Sequence, residues 1–165
     1  MRARRVAILV TGGTFDKEYD ELRGRLFFRR THVHEMLELG RCRLPVAVSR
    51  LMMVDSLDMN EAQRRRILRA CRRCSAKRIV VTHGTDTMVE TARLLGRELR
   101  GKTVVLTGAM VPYKFGSSDG LFNLGSALSF AQTLPPGVYI AMNGRFLTWD
   151  RARKDRERGV FVRST

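Results

Sequence analysis

The sequence predicts a three-layer α/β fold in which a mostly parallel sheet lies between helices. Short apolar runs rich in β-branched residues alternate along the chain with segments of helical periodicity. Each apolar run is followed by polar residues, and four of the five are also followed by glycine, as expected where a buried strand leaves a sheet. Internal repeats, low-complexity runs and linkers do not interrupt the pattern. These observations together favour one α/β domain.

Five segments have the length and residue types of core strands, and four segments between them have the helical period. The predicted strands are Val6 to Thr11, Leu44 to Val54, Arg78 to Thr82, Thr103 to Thr107, and Val138 to Met142. The predicted helices are Thr31 to Leu39, Asn60 to Cys74, Asp86 to Leu99, and Gly120 to Thr133. Alternation of this kind indicates a Rossmann-like or flavodoxin-like sheet with helices on both faces.

Residues at the start of the predicted helices carry capping signals. Thr31, Asn60 and Asp86 have side chains suited to a helix N-cap or first turn. Residues 15–30 lack core periodicity, and we expect a mobile loop there that leads into a short hairpin.

The charge balance keeps nucleic acid among the partners to consider. The 165 residues include 31 Lys and Arg against 16 Asp and Glu, which gives a net charge of +15 at pH 7. Such a charge attracts anionic partners at long range. The basic clusters are not interleaved with the aromatic residues that read RNA bases, so the composition favours a solvated basic surface over a nucleic-acid interface.

The three cysteines, Cys42, Cys71 and Cys74, indicate a reducing, cytoplasmic setting. The apolar run Val6 to Val10 is too short for a signal peptide core or a membrane span, so no membrane association is expected. The motif "CRRC" has metal or redox spacing, but it lacks a second ligand pair. Two thiols one helical turn apart are the simpler interpretation.

Polar residues collect where each predicted strand ends, which is the edge where open α/β sheets bind ligands. The five strand exits read "TGGTFD", "VDSLDMN", "THGTDT", "TGAMVPY" and "MNGR". Gly12 and Gly13 allow the backbone to approach a ligand, and Thr14 offers a hydroxyl nucleophile. Thr85 and Asp86 begin a helix, whose N–H groups bind small carboxylates. The glycine-rich segment lacks the GKS or GKT ending and the GxGxxG spacing of a phosphate loop.

These motifs, with "THGTDTMVETA" and "TGAMVPYKFGSSDGLFNLGSAL", resemble in content and order those of the bacterial-type L-asparaginases. The resemblance covers nearly the whole chain. It implies hydrolysis of L-asparagine to L-aspartate and ammonia without a metal or an organic cofactor, and weak or no activity on glutamine.

The resemblance also implies a particular assembly. Family members usually carry two α/β domains, and the second domain of a neighbouring subunit closes the active site in the first. This chain resembles a short form that ends with the first domain, so residues 1–165 are expected to form a single catalytic domain. We expect a homo-oligomer, either a dimer or a tetramer.

Carried over by position, the resemblance assigns the catalytic roles. Thr14 takes the nucleophile position, Thr85 and Asp86 match the second threonine and the aspartate of "HGTDT", and Lys154 follows the last strand as the catalytic lysine does. The alternative for Lys154 is a solvated lysine in a basic tail. Tyr19 is the counterpart of a loop tyrosine that polarises the nucleophile. Either an acyl-enzyme on Thr14 or a water activated by Thr85 fits these residues.

The same comparison assigns the substrate contacts. Ser56 matches the serine that holds the α-carboxylate, and the Ala109 carbonyl accepts the leaving amide N–H. Gly13 and Gly84 are expected to place backbone groups against the substrate. Leu57 stands where many relatives have glutamine, so Asp86 would carry more of the ammonium recognition alone.

The histidines are not expected to act in catalysis or metal binding. His32 and His34 in "HVH" would share a face only in a strand, and a helix is predicted there. His83 is expected to form structural hydrogen bonds rather than act as a base. The alternative to an enzyme is a module of the same fold that senses an amino acid or contacts RNA without turnover.

Overall fold

A computed structural model of the chain describes residues 5–164. Residues 1–4 and Thr165, which the expected single domain includes, lie outside the described residues. The strands are β1 (Val6–Gly12), β2 (Lys17–Asp20), β3 (Arg25–Phe28), β4 (Val46–Val54), β5 (Arg78–Thr82), β6 (Thr103–Thr107), β7 (Gly137–Met142), β8 (Arg145–Thr148), β9 (Ala152–Asp155) and β10 (Val160–Arg163). The α-helices are α1 (Val33–Leu39), α2 (Glu61–Arg73), α3 (Met88–Glu98) and α4 (Gly120–Thr133). None of these helices is long and apolar enough to cross a bilayer.

The main sheet has six strands in the order β4-β1-β5-β6-β7-β8. Neighbouring strands run parallel except for β8, which pairs antiparallel with β7. Numbered within the sheet, the five parallel strands have the order 2-1-3-4-5, the flavodoxin-like arrangement. The predicted α/β fold class is confirmed. The order reverses between β1 and β5, and the loops that leave these two strands therefore diverge and open a crevice.

Helices cover both faces of the sheet because alternate residues of each strand point to opposite sides. On one face, Ala7 and Leu9 of β1 pack with Ile67 and Leu68 of α2 and Leu95 of α3. On the other face, apolar residues of β1, α1 and α4 form a second core cluster, among them Val6, Ile8, Val10, Met36 and Leu124. Buried runs such as "RIVVT" suit a parallel sheet that is covered on both sides.

Several predicted boundaries are shifted by one or two residues, for local reasons. Helix α1 begins at Val33 rather than Thr31, whose hydroxyl instead accepts the Val33 N–H at 3.3 Å. Asn60 is the N-cap of α2, as predicted, and forms a reciprocal capping box with Gln63. Helix α3 begins at Met88, and Asp86 is not its cap because its carboxylate binds Lys154.

Two hairpins lie outside the main sheet. The antiparallel pair β2–β3 confirms the short hairpin expected within residues 15–30, although half of that segment is strand. The pair β9–β10 and strand β8 were not predicted, because each of these strands has only four residues and so gives a weak local signal. Ala152 and Phe161 bury this second hairpin against the α2–α3 face of the domain.

Candidate active site

The loops that leave β1 and β5 touch through glycine backbones. Gly12 and Gly13 have φ angles of 106° and 82°, which favour glycine. A Cβ atom on Gly13 would lie 2.4 Å from the Gly84 nitrogen, so a side chain there would separate the two loops. The half-buried Thr14, in a 3₁₀ turn of residues Thr14–Asp16, follows directly after this contact. The "TGGT" and "HGTDT" motifs therefore meet at the switch point of the sheet.

Lys154, Thr85 and Asp86 form a hydrogen-bonded trio beside this contact. Lys154 Nζ donates to Thr85 Oγ1 at 2.9 Å and to Asp86 Oδ1 at 2.7 Å. Thr85 is buried, and the Lys154 side chain is only 9% exposed. Strand β9 delivers the lysine, and the segment between β5 and α3 supplies its two partners. The alternative reading of Lys154 as a solvated tail residue is wrong.

This trio has a defined proton arrangement. Because the Lys154 ammonium has donors only, Thr85 Oγ1 and the Asp86 carboxylate are its acceptors. The Thr85 hydroxyl proton is then free to point away from the lysine. A group that bound there would meet a hydroxyl donor backed by the positive charge of Lys154.

Ser56 also lies against Gly84. Its side chain is buried, and its Oγ atom has no hydrogen-bond partner among the described residues. A Cβ atom on Gly84 would lie 2.5 Å from Ser56 Oγ, so glycine permits this approach. The Thr87 hydroxyl donates to the Ser56 carbonyl at 2.8 Å and fixes the two segments together. A buried unpaired hydroxyl is costly, and a bound polar ligand would satisfy it.

The loop that carries Ala109 is held by the start of α4. Asn123 Nδ2 donates to the Gly108 carbonyl at 2.8 Å, and Asp119 accepts the Met110 and Val111 N–H groups at 3.0 Å. Sequence reasoning assigned no role to Asp119 and Asn123, although both stand in the quoted segment "SSDGLFN". Polar residues in the first turn of an otherwise apolar helix were the available signal.

The side chains of two residues expected in the site, Tyr19 and Leu57, are not held by hydrogen bonds to the other site residues. The Tyr19 side chain on β2 is 56% exposed, and no hydrogen bond within residues 5–164 joins its hydroxyl to Thr14. Leu57 is 65% exposed in the turn after β4. The structure thus brings six of the ten expected residues to one place through contacts, namely Gly13, Ser56, Gly84, Thr85, Asp86 and Lys154. Thr14 adjoins them in the chain, and the buried Ala109 lies in the loop that follows the neighbouring strand β6.

His83 is a structural hydrogen-bonder, as expected. Its Nδ1 atom lies 2.8 Å from the Gly84 carbonyl, which can only accept, so Nδ1 carries the proton. Its Nε2 atom then accepts from the Thr91 hydroxyl at 2.8 Å. Complete burial lowers the pKa of His83 to about 4. The neutral imidazole holds the Gly84 backbone in place from behind the site.

This burial should make the fold sensitive to acid. His83 is neutral in the fold but takes up a proton near pH 6.5 when unfolded, so its contribution is complete above about pH 6.5 and is lost as the pH falls toward about 4. We expect a loss of up to about 3 kcal/mol in the free energy of unfolding over that range. Urea unfolding at several pH values measures the loss, and the exposed His34→Gln variant should not change it. A folded-state NMR titration of His83 with a midpoint near pH 6.5 would contradict the assignment.

The remaining histidines and cysteines do not form a second centre. His32 precedes α1 with Nε2 3.1 Å from Glu18 Oε1, while His34 is exposed. Within residues 5–164, no group of three or more His, Cys, Asp or Glu side chains could hold a metal ion. Burial raises the pKa of the Cys71 thiol to about 12, so this cysteine is not a reactive thiolate.

The fold and site define a doubly wound α/β protein with a threonine–aspartate–lysine centre at its switch point. The chain belongs to the asparaginase family, since the family model "Asparaginase, N-terminal" matches residues 5–160. The resemblance read from the sequence is confirmed.

Solved structures are similar over nearly the whole chain. The thermostable L-asparaginase from Thermococcus kodakarensis has a TM-score of 0.85 and 29% identity, with 96% of this chain and 51% of that one covered. L-asparaginase I from Vibrio cholerae has a TM-score of 0.82 and 26% identity, with coverages of 97% and 51%. A probable cytoplasmic L-asparaginase from Campylobacter jejuni has a TM-score of 0.77 and 29% identity, with coverages of 91% and 49%.

Curated relatives match shorter stretches. The L-asparaginase of Thermococcus kodakarensis is 39% identical over 84 residues, which cover 50% of this chain and 26% of that protein. The probable periplasmic L-asparaginase of Haemophilus influenzae is 39% identical over 103 residues, or 59% of this chain and 30% of that protein. Compared with the solved structures above, the chain spans about half of their length.

Proposed function

We propose that this domain hydrolyses the side-chain amide of L-asparagine to L-aspartate and ammonia, with Thr14 as the nucleophile. The observation that carries the proposal is the Lys154–Thr85–Asp86 trio, which lies beside the glycine contact that precedes Thr14. Proteins named L-asparaginase share both the fold and the family, which supports the same reaction class here. The reaction needs no metal or organic cofactor.

In the proposed reaction, Thr14 Oγ1 attacks the amide carbon, and the carbonyl electrons move to oxygen. An amide is a poor electrophile, so the attack needs proton removal and an oxyanion site. Backbone N–H groups near Thr85 would bind the oxyanion, and the trio would carry the proton to the leaving nitrogen. The C–N bond then breaks and ammonia leaves. Water hydrolyses the resulting Thr14 ester to aspartate and restores the hydroxyl.

The other expected residues have supporting roles in this proposal. Ser56 Oγ would donate to the substrate α-carboxylate, which satisfies the atom left unpaired in the buried pocket. Asp86 would accept from the ammonium group through the oxygen that Lys154 does not use. The Ala109 carbonyl would accept the leaving amide N–H, and Gly13 and Gly84 would leave room for the substrate. Tyr19 would polarise Thr14 after a movement of the β2–β3 hairpin.

The oligomeric state and the compartment of the protein are proposed as well. We propose that the chain works as a single asparaginase N-terminal-type catalytic domain, in a homodimer or homotetramer, in the cytoplasm. Exposed large apolar residues support self-association, among them Phe122 at 63% and Phe146 at 44% exposure. Three free cysteines support a reducing compartment. Sedimentation equilibrium and cell fractionation would measure the two properties.

Kinetics on both amides test the proposed activity. Leu57 removes a polar partner for the ammonium group, and each lost charge-assisted hydrogen bond weakens binding by about one to two decades. We therefore expect a millimolar Michaelis constant for asparagine and weak or absent turnover of glutamine, whose longer side chain needs firmer anchoring of the same head group. Ammonia release with purified protein measures both.

Four outcomes would count against the proposed activity or its expected kinetics. A micromolar Michaelis constant, or comparable rates on glutamine, would contradict the expected weak anchoring. Binding of asparagine without ammonia release would favour an amino-acid sensor. Affinity for RNA that falls steeply with salt and survives Thr14→Ala, without hydrolysis, would favour the nucleic-acid alternative.

A further inference from the structure

A cavity of about 710 Å³ lies at the amino-terminal edge of the main sheet, opposite the candidate active site. Its walls come from three connections and the residue before β1, namely residues 75–78 between α2 and β5, Gly101 and Thr103 between α3 and β6, residues 133–136 between α4 and β7, and Arg5. Strand β5 runs from Arg78 to Thr82, so about 13 Å of strand separates the cavity from the edge that carries the proposed chemistry. The cavity has no part in that chemistry.

Hydrogen bonds tie the three connections together. The Thr103 N–H donates to the Lys77 carbonyl at 2.8 Å, and the Thr103 hydroxyl donates to the Leu134 carbonyl at 3.2 Å. The Gly137 N–H at the start of β7 donates to the Lys102 carbonyl at 2.9 Å. A ligand would therefore meet a cavity that is already formed, which lowers the ordering cost of binding.

The charged side chains that line the cavity all have the same sign. They are Arg5, Lys77 and Arg78, and the lining residues of the described chain include no Asp or Glu. Within residues 5–164, none of the three forms an ion pair with a carboxylate. A cleft that is lined by charge of one sign concentrates ions of the opposite sign. Three uncompensated cations suit a dianion such as a phosphate monoester.

Arg78 is fixed in place but keeps bonding capacity. Its side chain is half-buried, and its guanidinium donates to the Ala131 carbonyl in the last turn of α4. A guanidinium has five N–H donors, of which the Ala131 carbonyl uses one. Its planar fork matches two oxygens of a phosphate group. The orientation that a bidentate phosphate contact needs is thus set before a ligand arrives.

The helix ends beside the cavity do not oppose an anion. The last carbonyl groups of a helix carry a partial negative charge, which would repel a phosphate. At the end of α2, Lys102 Nζ donates to the Cys71 carbonyl at 2.7 Å and also to the Cys74 carbonyl. At the end of α4, the guanidinium of Arg78 has the same role. Cationic donors therefore offset the negative charge of both helix ends.

The remaining wall of the cavity is apolar and stiff. It contains Leu134, Pro135 and Pro136, and the proline rings fix the backbone φ angle there. We propose that this cavity binds a small organic phosphate, with Arg78 and Lys77 on the phosphate group and an aromatic or aliphatic body against the two prolines. This inference goes beyond the proposed hydrolysis and does not depend on it.

Calorimetry with three probes tests the two halves of the cavity. Phenyl phosphate carries a charge and an apolar body, inorganic phosphate lacks the body, and benzyl alcohol lacks the charge. One equivalent of phenyl phosphate should bind, inorganic phosphate should bind at least about 10-fold more weakly, and benzyl alcohol should not bind measurably. Absence of phenyl phosphate binding, or equal affinity for phenyl phosphate and either other probe, would overturn the proposal.

Substitutions separate the cavity from the overall charge of the protein. Lys77→Met and Arg78→Met should each weaken phenyl phosphate by about 10-fold or more, because each removes a charge-assisted hydrogen bond. Arg93→Met is the control, since it removes an exposed positive charge on α3 outside the cavity and should leave the affinity nearly unchanged. Equal losses in Arg93→Met and Lys77→Met would overturn the proposal. Lys77→Met alone decides the test if Arg78→Met unfolds on loss of the Ala131 bond.

Amide chemical shifts in NMR spectra locate the probe without any substitution. Phenyl phosphate should shift the N–H signals of Ala76 and Gly101, which line the cavity, and should leave that of Gly84 unchanged. Shifts centred on Gly84 would place the phosphate in the candidate active site and would contradict the inference. Asparagine turnover is measured separately, so its absence would count against the proposed function and not against this cavity.

Discussion

Replacement of Thr14 by alanine should lower kcat for asparagine by at least about three orders of magnitude, because the variant lacks the oxygen that forms the proposed ester. Thr14→Ser should keep measurable activity, since it retains a hydroxyl in the same place. Both variants should bind L-aspartate with nearly wild-type affinity. Ammonia release and calorimetry measure the two quantities.

The control for this experiment is another threonine. Thr133 at the end of α4 is exposed, and its hydroxyl bonds only to carbonyls of its own helix. Thr133→Ala should leave kcat unchanged, while circular dichroism confirms that all variants fold. If Thr14→Ala kept a tenth of the wild-type kcat, the nucleophile would have to be another group, such as a water activated by Thr85.

Replacement of Lys154 by methionine should lower kcat by about two to four orders of magnitude, the usual range for loss of an acid–base group. It should also alter the pH–rate profile, because a proposed proton-transfer group is removed. Lys114→Met is the matched control, since Lys114 also pairs with a carboxylate, Glu35 at 3.1 Å, but is exposed. An unaltered profile in Lys154→Met would show that this lysine is not part of the proton transfer.

The same experiment can be extended to Thr85. Thr85→Val removes the hydroxyl with little change of volume and should cost a similar factor in kcat. Residues that act as one unit lose activity less than additively when both are changed. The double variant should therefore be about as impaired as either single variant. Fully multiplicative losses would mean that the two residues act in separate steps.

Most of the main sheet could be predicted because its strands are short, β-branched and buried on both faces. For β5, β6 and β7 the expected bounds differ from the observed ones by no more than one residue. Strands β8, β9 and β10 were missed because each has only four residues, and "ARKD" of β9 shows no apolar alternation even though Ala152 is fully buried. Tertiary burial of one small residue leaves no signal in local composition.

The residues of the candidate site that lie in sequence motifs could be predicted. Contacts between residues that are distant in the chain could not. Lys154 could be placed from its spacing after Met142, and the hydrogen bonds to Thr85 and Asp86 agree with that placement. The salt bridge between Lys17 and Asp55 could not be predicted, because a contact between residues 38 positions apart depends on how two loops cross. Tyr19 is assigned by resemblance alone, and the structure leaves its side chain exposed.

We expect the hairpin that carries Lys154 to have its own equilibrium between attached and detached states. Among residues 5–164, strands β9 and β10 pair only with each other, and a two-stranded hairpin has little stability of its own in water. Its attachment depends on the burial of Ala152 and Phe161 and on the bonds from Lys154 to Thr85 and Asp86. We therefore expect the parallel sheet to persist if the hairpin detaches, and the proposed turnover to be that of the attached state scaled by its population. A substitution, solute or neighbouring surface that holds the hairpin would raise activity without contacting the substrate.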